Sequence, residues 1–343
     1  MTQAVGREAV DAKVAAFATA RFGAAARVEP LAGDASDRRF FRLRVPSLSS
    51  LILMVHAAPF DLESLPFFQH ARFLNGIGAP VPQIVASYPA DGILVVQDLG
   101  NETLQAHLGS CGDERRRYLY LQAVRIIAQI QIEGTPAVTS DIPAGVTALD
   151  RGRLHWELGY FRENYIDRLL GSPLTPAQSA TLDAWLNALA RQVAGYPRVL
   201  CHRDYHSRNL MVRGDRLYMV DFQDARMGPY TYDLASLVRD AYAPLPEPLV
   251  AELVAFFRET AQVTEPEEHF RATLRRTVLQ RNIKAMGTFA AQAVQHGKRF
   301  YLPYIPLMLD SVRARLKEEA EDADDASDIL DLFDGPLDRK AAP

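Results

Sequence analysis

The stretch Cys201-His202-Arg203-Asp204-Tyr205-His206-Ser207-Arg208-Asn209 contains the pattern H-x-D-x4-N. Two short apolar runs follow, Leu210-Met211-Val212 and Leu217-Tyr218-Met219-Val220, parted by Arg213-Gly214-Asp215-Arg216 and closed by Asp221-Phe222. Apolar runs about a Gly-Asp turn signal make a hairpin. Residue 215 is the midpoint of 209 and 221, so closing the hairpin is expected to bring Asn209 and Asp221 together. A carboxylate and an amide oxygen at a strand end form a hard, oxygen-rich site suited to Mg²⁺ on substrate phosphates. Asp204 lies on the loop entering the hairpin, near that pair without having to be a ligand, where it can take the proton of a substrate hydroxyl. Positioning and charge neutralisation are most of what phosphoryl transfer requires. The pattern therefore points to that chemistry, with Asp204 as catalytic base and Asn209 and Asp221 on the metal.

The elements that must position these residues change character along the chain. Arg7 to Phe22 carries apolar residues at helical spacing. Short β-rich segments follow at Arg39–Arg44, Leu51–Val55, Ile84–Tyr88 and Ile93–Gln97, with a helix from Pro66 to Ile77 between the second and third. Strands with one inserted helix read as an antiparallel sheet. From about Leu104 the chain turns helical: Arg115–Glu133, Arg153–Leu170, Pro176–Ala194, Pro248–Thr260 and Phe270–Val294, with strands only near Val199–Cys201 and at Leu210–Val220. The expected fold is α+β and two-lobed. Its parts are a β-rich segment 1–98, a helical segment 99–316 and an acidic tail 317–343. The tail reads as solvated, with Ile329, Leu330, Leu332 and Phe333 as the residues that could instead dock.

At 343 residues the chain can bury a substantial core. A net charge of −4 offers no general field for nucleic acid or an anionic membrane, so neither is expected as a main partner. The N-terminus lacks the apolar region of a secretory signal, and no apolar run approaches the ~20 residues of a membrane span. Two cysteines, Cys111 and Cys201, are too few for a disulfide framework and read as packing. A cytoplasmic setting fits. Trp156 and Trp185, on expected helices, read as core.

His202, Asp204, Asn209 and Asp221 resemble the catalytic loop and metal aspartate of the aminoglycoside phosphotransferase/choline kinase family, relatives of protein kinases. The resemblance covers most of the chain. It implies ATP and Mg²⁺ as cofactors and a small alcohol as acceptor. Val96-Gln97-Asp98-Leu99-Gly100 resembles the family's inter-lobe segment, which implies that Gln97, Asp98 and Leu99 meet the adenine. Gly33-Asp34-Ala35-Ser36, ahead of a strand, takes the place of a phosphate-covering loop, although the full glycine-rich pattern is absent. Asp233, in Gly228-Pro229-Tyr230-Thr231-Tyr232-Asp233-Leu234-Ala235, looks structural, as a helix N-cap. Two departures stand out: Leu51–His56 holds no lysine, and Pro66–Ile77 holds no glutamate to pair with one. Arg39 and Arg42 are candidates to steady the phosphates instead, and equally for ordinary surface roles.

More narrowly, the chain resembles the anomeric sugar kinases that act on N-acetylmuramate and N-acetylglucosamine at C1 in bacterial cell-wall recycling. The stretches behind this are Gly33–Arg42, Asp221-Phe222-Gln223-Asp224-Ala225, Leu237–Tyr242, Leu279-Gln280-Arg281-Asn282-Ile283-Lys284 and Gly297–Pro303. An amino sugar is thus the implied substrate. Tyr205, Arg208, Gln223, Asp224, Arg239 and Asn282 are the residues to examine for it, each equally able to sit in a structural ion pair. A kinase for an aminoglycoside or choline, and a non-catalytic kinase-like binding module, remain as alternatives. A protein kinase is disfavoured, because no segment ending in Ala-Pro-Glu follows Asp221.

Overall fold

The structure, a computed structural model, describes residues 2–31, 38–46, 48–320 and 324–338. Gly33, Asp34, Ala35 and Ser36 lie outside the described residues. The chain divides into two compact units, one formed by residues up to Glu102 together with Met211–Gln223, the other by Thr103–Leu210 and the chain from Asp224 onward. This differs from the sequence expectation at two points. Met211–Gln223 of the hairpin belong with the first unit, and the described residues of the acidic tail belong with the second.

In the first unit, α1 (Thr2–Phe22) precedes β1 (Arg27–Pro30), β2 (Arg39–Arg44) and β3 (Leu51–Val55). Helix α2 (Pro66–Gly76) leads to β4 (Ile84–Tyr88) and β5 (Ile93–Gln97). The strands pair antiparallel in the order β1-β2-β3-β5-β4, with Phe41 opposite Leu53 and Leu53 opposite Val95. Alternate residues of a strand face opposite ways. Phe41, Leu43, Leu53, Val55, Ile93 and Val95 therefore pack with Val14, Phe17 and Ala18 of α1. Phe40, Ile52, Met54 and Val96 are left on the other face.

The second unit opens with α3 (Leu104–Leu108) and α4 (Asp113–Gln129), the latter continued by a π-helical turn, and the short α5 (Thr135–Ala137) and α6 (Pro143–Val146). Helix α7 (Arg151–Phe161) runs on as a π-helix to Leu169, and α8 (Pro176–Ala194) starts in a Thr175–Gln178 capping box. Strand β6 (Arg198–Cys201) leads into the loop that carries Asp204. The hairpin strands β7 (Leu210–Arg213) and β8 (Arg216–Met219), which from Met211 belong to the first unit, follow and turn at Gly214 with φ 61°. Strand β9 (Arg226–Pro229) pairs antiparallel with β6. Then come α9 (Tyr232–Val238), α10 (Glu247–Thr260), α11 (Glu267–Val294), α12 (Tyr304–Ala320) and α13 (Asp324–Asp334).

The tail expectation is corrected here. Ile329, Leu332, Phe333 and Leu337 are buried in the helical core. Arg313 of α12 pairs with Asp334 at 2.8 Å and Asp338 at 2.6 Å, and Tyr165 donates its hydroxyl to the Leu337 carbonyl. An acidic helix with aliphatic residues at i, i+3 and i+4 needs only one apolar surface to fold against. Trp156 is also not core: it is 54% exposed, stacked with Tyr160 and covered by the Arg153 guanidinium. Trp185 packs partly buried against the core, and the Cys201 thiol is fully buried.

Candidate active site

The loop after β6 is held by backbone hydrogen bonds to two buried aspartates. Asp233 accepts the N–H groups of His202 (2.7 Å) and Arg203 (2.9 Å). Asp240 accepts those of Ser207 and Tyr242, each at 2.8 Å. Asp233 is thus structural, but as a clamp on the loop; the residue at the α9 N-cap is Thr231. The clamp keeps Arg203 at φ 83°, a conformation that a side chain disfavours and that surrounding contacts must impose. Below the loop, Tyr205 is fully buried, edge-on to His202, with its hydroxyl on the Ala123 carbonyl. It packs the loop from beneath and does not face substrate, a correction that follows from a phenol being stable in the core once its hydroxyl is paired.

Asp204 lines a cavity of about 100 Å³ in the second unit, together with Arg239, Arg281, Asn282 and Lys284. Its Oδ1 accepts from Lys284 Nζ at 3.0 Å and from Arg281 Nη2 at 3.3 Å. Burial works against its charge, but Lys284, Arg281 and Arg203 outweigh burial and hold the carboxyl well below the usual range. Arg281 and Lys284 were missed as site residues. A signal was available: Thr277, Gln280, Arg281, Lys284 and Thr288 recur at helical spacing along one side of α11, next to the apolar residues Val278, Leu279 and Ile283.

Among the residues expected near substrate, Asn282 lines the cavity and donates to Ser311 Oγ at 2.7 Å. Arg239 lines it as well, with its guanidinium forked onto Glu247 at 2.5 and 2.9 Å. Arg208 is fixed by Gln105 and the Tyr304 hydroxyl, 3.7 Å above the Tyr242 ring, so it buttresses the wall. Asp224 is exposed and pairs with Arg203 and Arg226 at 3.9 and 3.7 Å.

Asn209 immediately precedes β7, and Asp221 lies just past β8. Asn209 Nδ2 donates to the Asp204 carbonyl at 2.9 Å, which fixes the amide and leaves its oxygen as an acceptor. Asp221 is exposed, at φ 63°, and its Oδ1 takes the Gln223 amide at 2.7 Å. Among the described residues no three acidic, histidine or cysteine side chains cluster as a self-sufficient metal cage. The Asn209 amide oxygen and the Asp221 carboxylate are each hard oxygen donors of the kind that Mg²⁺ takes.

The first unit has a cavity of its own, about 340 Å³, walled by Phe40, Ile52, Met54, Val96 and Met211 and edged by Gln97, Asp98, Leu99 and Gly100. An apolar slot beside a chain segment leaving a sheet accommodates a flat heteroaromatic ring. The residues facing it from β3 are Ile52 and Met54, consistent with the missing lysine. The two arginine candidates are corrected. Arg39 points to the α1 face, bonded to Asp11 at 2.7 Å, because β2 alternation sends it there; Arg38, one residue earlier, lines the cavity. Arg42 is buried in a two-pronged pair with Asp98 at 2.6 and 3.0 Å. It holds the Gln97–Gly100 segment and is not placed to meet a phosphate.

An antiparallel sheet with one inserted helix, and a helical unit presenting H-x-D-x4-N on a clamped loop, define a two-lobed protein-kinase-like phosphotransferase. The chain belongs to the phosphotransferase enzyme family, whose model matches residues 27–270. It is 31% identical over 296 residues to the N-acetylmuramate/N-acetylglucosamine kinase of Neisseria meningitidis serogroup B, covering 84% of this chain and 86% of that one. To the kinase of the same name from Pseudomonas aeruginosa it is 33% identical, covering 86% of each. Among solved structures, a choline/ethanolamine kinase family protein from Mesorhizobium loti shares the fold, with a TM-score of 0.58 and 14% identity over 94% of this chain and 98% of that one. Among the described residues no helix is long and apolar enough to cross a membrane.

Proposed function

We propose that this protein is a cytoplasmic, ATP- and Mg²⁺-dependent kinase that phosphorylates the anomeric (C1) hydroxyl of N-acetylmuramate and N-acetylglucosamine in cell-wall recycling. The observation that carries the reading is Asp204 in its cation-lined cavity, within a chain about a third identical to kinases named for those sugars. Arg239, Arg281 and Lys284 line the cavity against Asp204 and Asp240. Arg281 and Lys284 occupy Asp204 Oδ1, so a polycationic aminoglycoside or a choline would have to compete with them for it, whereas a neutral or carboxylate-bearing sugar would not. The intact Asp204, Asn209 and Asp221 weigh against a non-catalytic module. ATP would place its adenine in the cavity edged by Gln97–Gly100. Asn209 and Asp221 would hold Mg²⁺, which supplies charge neutralisation on the phosphates.

Asn209→Ala and Asp221→Ala are expected to lower turnover by about 10² or more without unfolding the chain, the scale of several kcal/mol of lost charge stabilisation. Turnover that persists in excess chelator removes both residues from this role.

The position of transfer is tested with blocked sugars. Methyl N-acetylglucosaminide keeps every hydroxyl except that at C1, and is expected not to be phosphorylated under conditions that convert the free sugar. Equal turnover of the two places the transfer elsewhere. Glucose, lacking the acetamido group, should be poorer by roughly one to two powers of ten, because a buried donor or acceptor left unpaired costs about 1–3 kcal/mol.

A further inference from the structure

The cations around Asp204 outnumber the carboxylate oxygens that they reach. Lys284 and Arg281 share one oxygen, Asp204 Oδ1. Behind them Arg203 reaches Glu157 at 3.4 Å, and the second oxygen of Glu157 takes the Gln280 amide at 3.1 Å. The Glu157 side chain is 1% exposed, and those of Arg281, Lys284 and Arg203 are 9%, 12% and 12%. Lys284, Arg281, Arg203 and the more exposed Arg153 thus share two oxygens, Asp204 Oδ1 and Glu157 Oε1. Asp224 approaches Arg203 only at 3.9 Å and is largely in solvent. Asp240, also at the cavity, already accepts two backbone N–H groups.

Donors are left over as well. Among the described residues, Asp204 is the one hydrogen-bond partner of Lys284 Nζ, which has three protons to give. Arg281 Nε is buried without a partner, and Arg281 Nη2 is pinned by Ser236 Oγ at 2.8 Å. A buried donor left without an acceptor costs free energy, and the oxygens of an arriving anion relieve that cost.

We propose that Lys284, steadied by Arg281, binds the transferring phosphoryl group at Asp204. The assignment rests on the phosphotransferase reading above. In the step, the acceptor O–H bond breaks and its proton passes to Asp204 Oδ2, which has no partner among the described residues. The acceptor oxygen bonds to the γ-phosphorus, and the bond from that phosphorus to the β–γ bridging oxygen breaks, releasing ADP. Reacting atoms start about 3–3.5 Å apart. A phosphoryl group approaching a hydroxyl on Oδ2 therefore comes within reach of an ammonium 3.0 Å from the other oxygen of the same carboxylate. Lysine is a point charge with rotatable donors, able to keep one proton on Oδ1 and turn the others to the phosphoryl oxygens.

The test is the steady-state kinetics of the full chain with an acceptor that the wild type converts. Lys284→Met is expected to lower kcat by about 10²–10³, the loss typical of one transition-state donor, with KM for ATP and sugar little changed. Lys284→Arg should keep at least about a tenth of the wild-type kcat, since the charge remains. Should Lys284→Met fail to fold, Lys284→Gln, neutral but still able to donate to Asp204 Oδ1, gives the same reading. The rate ratio of ATP to its γ-thio analogue should also shrink in the neutral variants, because the contact that the sulfur perturbs is gone. Three results overturn the assignment: kcat of the neutral variants close to wild type, a loss confined to the KM of a carboxylate-bearing sugar, or an unchanged thio ratio. If the wild type phosphorylates no alcohol, the phosphotransferase reading itself falls, and the assignment with it.

Discussion

Asp204→Asn should lower turnover by about 10²–10⁴, the range of a lost general base, while ATP binding stays close to wild type. The substitution preserves shape, and the loop does not depend on the carboxylate for its geometry. Its position is set by Asp233 and Asp240 on backbone N–H groups and by Asn209 on the Asp204 carbonyl. An asparagine oxygen can still accept from Lys284 and Arg281; what disappears is the proton acceptor at Oδ2. The surrounding cations hold the Asp204 carboxyl low and make it a weak base. An anomeric hydroxyl, more acidic than an ordinary alcohol, suits such a base. Turnover at saturating sugar, with ATP affinity measured separately, decides the matter: a variant as fast as wild type would remove Asp204 from its role and the kinase reading from its centre.

The loop after β6 and the hairpin were legible because they are local. H-x-D-x4-N, the Gly214 turn and the Asp-Phe that follows occupy a single run of residues, and turn chemistry alone places the elements. Four strands of the sheet were equally plain from β-rich runs bounded by turn signals. What was hidden depends on partners distant in sequence. Whether Arg38 or Arg39 meets the cavity is decided by which sheet face α1 covers. Arg42 finds Asp98 56 residues on, and Lys284 meets Asp204 across 80. The tail misled because its acidity suggested solvent, when its aliphatic stripe and the Arg313 pairs settle it on the helical core.

The pair that replaced the expected phosphate contact should be costly to break. Arg42 and Asp98 side chains are 7% and 4% exposed, and Asp98 also accepts from Ser50 Oγ at 2.6 Å and the Gly100 N–H at 2.9 Å. Arg42→Ala leaves a buried carboxylate with its main partner gone and should cost about 3–5 kcal/mol of unfolding free energy. Replacing both residues by apolar ones should cost less than that single change, because no charge is then stranded. The effect should also depend on pH. Burial pushes the Asp98 carboxyl up, but the bonds from Arg42, Ser50 and Gly100 outweigh it and leave it below its ordinary value. A group depressed in the folded state contributes stability above its unfolded value, ~3.9, and loses that contribution as pH falls through the folded one. In Arg42→Ala the main lowering contact is absent, so acid protonates Asp98 with less penalty, and the gap between variant and wild type should narrow toward low pH. Denaturant unfolding at neutral and acidic pH measures both quantities. A cost below ~1 kcal/mol, under what even an ordinary net hydrogen bond contributes, would mean that the pair is not what holds the segment. Because Asp98 and Gly100 also edge the apolar cavity, the same variant should bind ATP more weakly even where it remains folded.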